Sequence, residues 1–122
     1  MTIADLSTPN WVRWWFRGAA VYGALALLAA LAQMPPADDM LSHLGFIGTA
    51  LAFQFAFWII GGDPVRHRAL MPAAVLEKLA FVIPAAVLAA HGRIDGITLA
   101  AAGIDLILAA GFVIAWRATP PA

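Results

Sequence analysis

Apolar residues run almost unbroken through four stretches, 11–34, 41–61, 72–90 and 96–116. Each is close to the ~20 residues a helix needs to cross a hydrocarbon core. The pattern breaks at MPPADDM, GGDPVRHR and HGRIDG, where proline, glycine and charge interrupt it. These connections are short, and short connections make consecutive helices antiparallel. The sequence therefore predicts an all-α fold, a four-helix transmembrane bundle in up-down-up-down order, forming a single integral membrane domain over residues 1–122.

Composition strengthens this expectation. The chain is 63% hydrophobic and 11% charged, whereas soluble domains carry about a quarter charged residues. A chain of 122 residues is too short to hide so much apolar surface in its own core, so lipid must cover the rest. Seven basic residues balance seven acidic ones, and no basic stripe is present, which argues against a nucleic-acid partner. The absence of cysteine excludes disulfides and thiolate chemistry.

Arg13, Arg17, Arg66, Arg68 and Arg117 fall on one side of a four-span arrangement. By the retention of basic residues on the cytoplasmic side, both termini are expected to be cytoplasmic, in a multi-pass protein of the inner membrane. Trp11, Trp14, Trp15 and Trp116 suit an aromatic belt at the same interface. The first stretch also has features of a cleavable leader, with Arg13 and Arg17, an apolar run and then Ala30-Leu31-Ala32 before Gln33; its basic residues come late for one, and it is read as a retained span.

Charge inside such spans is costly and marks candidate chemistry. Helical rise places Glu77 about 7 Å from the cytoplasmic end, Arg17 about 9 Å, Gln54 about 12 Å, and Tyr22 and Asp105 about 16 Å. In MPAAVLEKLAF the opposite charges of Glu77 and Lys78 are adjacent, and helix geometry turns them about 100° apart. Glu77 shares a face with Phe81, Pro84, Leu88 and His91 and is expected to face the bundle, paired with Arg17 or, from the loop, Arg66 or Arg68. Lys78 is expected to run its stem outward to the headgroups, where Arg66 and Arg68 also bind lipid phosphates. Asp105, near the midplane, has two readings: a hydrogen bond to Tyr22 or Gln54, or a role in carrying protons or holding a ligand. Phe46, Phe53 and Phe57 are read as packing or lipid-facing residues, and Gln54 as a link between helices. His43 and His91 have no ligand spacing and are read as core or interface residues, so neither a metal nor a cofactor is expected.

The segment GDPVRHRALMPAAVLEKLAF, residues 62–81, resembles one found in small bacterial four-helix membrane proteins. More loosely the plan is similar to DoxX-like proteins, and in architecture to the sterol-isomerase and sigma-2-receptor superfamily. That last resemblance implies apolar ligands enclosed between helices with carboxylates in use; it assigns no residue. The expected function is the binding of an apolar small molecule such as a lipid, isoprenoid, sterol-like compound or quinone in an intramembrane cavity. Asp105, Glu77, Gln54, Tyr22 and Arg17 are its candidate contacts. The alternatives are an oligomeric, for instance homodimeric, proton-coupled transporter or channel, and an accessory subunit of a membrane complex. No nucleophile-base motif or phosphate loop points to an enzyme.

Overall fold

The computed structural model of the protein describes residues 3–122. A short helix, α1 (Ile3–Ser7), precedes four long ones: α2 (Asn10–Leu31), α3 (Met40–Gly62), α4 (Met71–Ala90) and α5 (Gly96–Ala118). Single 3₁₀ turns, Ala37–Asp39 and Arg68–Leu70, lead into α3 and α4. All four long helices have the length and hydropathy of membrane spans, and large apolar side chains such as Leu25, Phe55, Val87 and Ile107 lie exposed on their outer surfaces. In water this surface would be untenable; in a bilayer it is the face the solvent requires. The chain is a multi-pass membrane protein of all-α architecture. Among the described residues α1 is the one helix the apolar pattern does not reveal. Its five residues are too few for periodicity to register.

Local chemistry sets the helix ends. Asp95 caps α5 by accepting hydrogen bonds from the Thr98 backbone N–H at 2.7 Å and the Thr98 hydroxyl at 3.0 Å, which hold its carboxyl below the ordinary range. Asp63 accepts from the Arg66 backbone N–H at 3.3 Å, closing the turn after α3 as expected of an Asx residue before proline. Gly92, with φ of 66°, takes the left-handed conformation that ends α4. Pro84 lies within α4 and has no N–H to give the Ala80 carbonyl.

The four long helices form two hairpins. α2 packs along α3, α4 packs along α5, and the two pairs touch each other far less. Small residues permit the close approach within each pair: Ala19, Ala20 and Gly23 on α2, and Ala74, Ala85, Ala102 and Ala109 between α4 and α5. The pairs are joined at the end carrying the chain termini. There Phe16 stacks on Phe112 with centroids 4.5 Å apart, Phe57 lies 5.0 Å from Phe112, and Val12, Ile60 and Met71 complete a fully buried cluster. Trp15, expected in the interfacial belt, instead turns inward. Its indole N–H donates to the Leu108 carbonyl at 3.2 Å, and its ring occupies the place a Cβ on Gly111 would take. Trp58, which sequence reasoning left out of the belt, lies exposed near the same end.

This connectivity puts the α2–α3 and α4–α5 turns at one end and the α3–α4 turn with the C-terminus at the other. Single cysteines at exposed Ala37 and Arg93 should react with a membrane-impermeant thiol reagent from one side, and those at exposed Arg66 and Pro121 from the opposite side. Labelling of all four from a single side would contradict the four-span topology.

Candidate ligand-binding cavity

Away from the phenylalanine cluster the hairpins diverge and leave a cavity of about 640 Å³. All four long helices line it. Leu27, Phe46, Phe53, Leu76 and Phe81 supply apolar walls, while Gln54, Glu77, Lys78 and Asp105 form its polar part. The volume falls within the range of about 300–1,000 Å³ typical of small-molecule sites, which are likewise apolar with a few convergent polar groups.

The polar part differs from the sequence expectation in its central residue. Lys78 does not reach the headgroups. Its side chain is 3% exposed, with Nζ 3.5 Å from Glu77 Oε2 and 3.6 Å from Asp105 Oδ1. It therefore joins α4 to α5 and brings together two carboxylates that the sequence assigned to separate partners. On its other side Nζ lies 5.4 Å from the Phe57 ring centroid, a cation–π distance that ties the ammonium to α3. The reason is helical phase: Met71, Ala74, Lys78 and Ala85 are the buried positions of α4, and their spacings of three, four and seven put them on one face. Lys78 shares that small-residue face, so its stem enters the α4–α5 contact, where a charge must find partners.

Arg17 is the second correction. It does not pair with Glu77; its guanidinium carbon lies 4.5 Å from the Trp58 ring centroid, on the α2–α3 hairpin. Arg68 also departs from expectation. Its Nε donates to the Thr119 carbonyl at 2.6 Å and its guanidinium covers Trp116 at 4.7 Å, so it fastens the α3–α4 connection to the end of α5. Arg66 stays exposed. Asp105 finds Lys78 rather than Tyr22 or Gln54. Tyr22 is partly buried, does not line the cavity and makes no hydrogen bond among the described residues.

Gln54, expected to link helices, spends its hydrogen bond within α3 and meets α2 by packing alone. Its Nε2 donates to the Ala50 carbonyl at 2.9 Å, and its amide presses on Gly23, where any Cβ would collide with it. Its Oε1 has no donor, and Glu77 Oε2, although 3.5 Å from the ammonium, has no hydrogen-bond partner. Unmet buried acceptors are costly, and both of these belong to residues that line the cavity. Two carboxylates and one ammonium leave a net of −1 when all are ionised.

His43 and His91 are each occupied by a carbonyl, His43 Nε2 with Ala30 at 3.2 Å and His91 Nδ1 with Val87 at 2.8 Å. No cluster of three His, Cys, Asp or Glu able to hold a metal ion occurs among the described residues. No known family, curated protein or solved structure matches this chain.

Proposed function

We propose that the protein binds a lipophilic small molecule between its two hairpins, with the tail against the aromatic and aliphatic walls and a cationic or hydrogen-bond-donating end beside Glu77 and Asp105. The observation that carries this is the juxtaposition of a 640 Å³ cavity with a polar corner in which two carboxylates face a single ammonium. Lipid can enter the gap between the hairpins, and an apolar wall gives it little reason to distinguish one tail from another; selectivity must come from the polar end. Arg13, Arg17, Arg66 and Arg117 near the termini end of the bundle, against Arg93 alone at the opposite end, support the reading of an inner-membrane protein with both termini cytoplasmic.

A ligand series with one tail and different ends tests this. Dodecylamine, dodecanol and dodecanoate should stabilise the detergent-solubilised protein in that order. The amine should bind roughly tenfold more tightly than the alcohol, the scale of one charge-assisted hydrogen bond. Asp105→Asn keeps the shape of the side chain and removes its charge, so it should abolish the preference for the amine while leaving dodecanol binding in place. Equal affinities for all three ends would contradict the proposal.

A further inference from the structure

A second polar site lies outside the cavity, in a cleft of about 320 Å³ between the first two turns of α2 and the last turn of α3, lined by Asn10, Arg13, Trp14, Arg17, Gly61 and Gly62. We propose that this cleft binds the phosphate of an anionic lipid headgroup through Arg13 and Arg17. Spaced by four residues, the two arginines share a helix face. Neither has a carboxylate at ion-pair distance among the described residues. Arg13 spends one donor on the Gly62 carbonyl at 2.7 Å and keeps the rest of its guanidinium fork. Arg17 has its guanidinium carbon 4.5 Å from the Trp58 ring centroid, a contact that uses none of its N–H groups, and its guanidinium makes no hydrogen bond among the described residues.

The glycines show that the cleft is shaped around these side chains. A Cβ on Gly61 would come within 2.7 Å of Arg17 Cγ and 2.9 Å of the Arg13 carbonyl oxygen, and one on Gly62 within 3.1 Å of Arg17 Nη2. Capping of the α3 C-terminus, where cations are favoured, accounts for the Arg13–Gly62 bond but not for the Arg17 guanidinium, whose Nη2 lies beside Gly62 and which has no hydrogen-bond acceptor among the described residues. A planar guanidinium is suited to the paired oxygens of a phosphate. The position, at the end of α2 and α3 beside exposed Trp14 and Trp58, is that of headgroups in a bilayer. A choline headgroup brings its own ammonium, which two guanidinium groups repel, so the site selects a phosphate without a neighbouring cation. Inorganic phosphate shares this chemistry, and the experiment separates the two sources.

The full chain is incubated in mild detergent with phosphatidylglycerol and phosphatidylcholine at equal mole fraction, and retained lipid is counted by native mass spectrometry. The parent should retain phosphatidylglycerol in roughly tenfold preference, the scale of one charge-assisted hydrogen bond. Arg17→Gln should bring the two lipids close to parity, as should Arg13→Gln, which leaves the Arg17–Trp58 contact in place; Arg93→Gln, at the opposite end, should retain the preference. Thermal stabilisation by phosphatidylglycerol but not by inorganic phosphate supports the lipid as occupant. Stabilisation by inorganic phosphate alone, lost in the same variants, would overturn the lipid assignment. Equal retention of both lipids by the parent, a result that needs no variant, would overturn the site itself.

Discussion

Replacing Lys78 with methionine should destabilise the bundle by about 3 to 5 kcal/mol, the usual consequence of removing one member of a buried ionic group. Methionine preserves most of the stem's length, so the loss isolates the charge. Glu77 and Asp105, only 15% and 18% exposed, would then face each other across the α4–α5 contact without the ammonium between them. Glu77→Gln should cost clearly less, because Lys78 keeps Asp105 at 3.6 Å. Adding Asp105→Asn to Lys78→Met should recover part of the loss, since one stranded charge is then gone. Unfolding in mixed micelles, followed by circular dichroism, reads all of these. A loss below about 1 kcal/mol for Lys78→Met, the scale of an exposed ion pair, would contradict the burial of this residue.

Phe112→Ala should weaken the protein by a comparable amount, about 3 to 5 kcal/mol, for a different reason. Its ring is wholly buried, stacked on Phe16 and 5.0 Å from Phe57, so it sits where three helices from both hairpins converge. Lipid supplies no hydrophobic drive to bring helices together, and the union of the hairpins rests on packing contacts that an alanine forfeits. The hairpins touch little elsewhere, which leaves few other contacts to compensate. The variant should keep its helix content and lose its cooperative unfolding transition. An unchanged transition would show that the hairpins are joined by something other than this cluster.

The fold was legible because its signal is long and repetitive. Four apolar stretches with proline and glycine between them fix the helices, and the structure moves their ends by a few residues, as at Leu31 and Ala118. The cavity region was legible in part: Glu77, Asp105 and Gln54 do meet around one space. What stayed hidden was the pairing, because in an apolar helix phase is ambiguous. Glu77 lies on a plausible face with Phe81 and Leu88, and the face that buries Lys78 is marked only by small residues, Ala74 and Ala85. Alanine at such spacing is the signal of a close helix contact, and it outweighs the general tendency of lysine to reach for water.

Other residues escape the sequence patterns as well. Phe16 and Phe112 look like any lipid-facing phenylalanine until α2 and α5 are seen to converge at Gly111, where Trp15 fills the space a side chain would need. Gly61 and Gly62 read as a helix stop, and they also form the notch in which Arg17 lies. Thr119, in the C-terminal segment, is fully buried, with its hydroxyl donating to Ala115 at 2.7 Å and its carbonyl accepting from Arg68. These are non-local contacts, set by which helices pair, and one chain's periodicity carries no record of that.

Mass spectrometry of small molecules carried through gentle purification tests the central claim most directly, with Ala101→Trp as the comparison. Ala101 lines the cavity one turn before Asp105, and an indole there occupies space the ligand needs while every charged residue is retained. The parent should carry a stoichiometric lipophilic molecule with a cationic or hydrogen-bond-donating end, and folded Ala101→Trp should carry none. Retention of the same molecule by folded Ala101→Trp, at the same stoichiometry, would contradict a binding site between the hairpins.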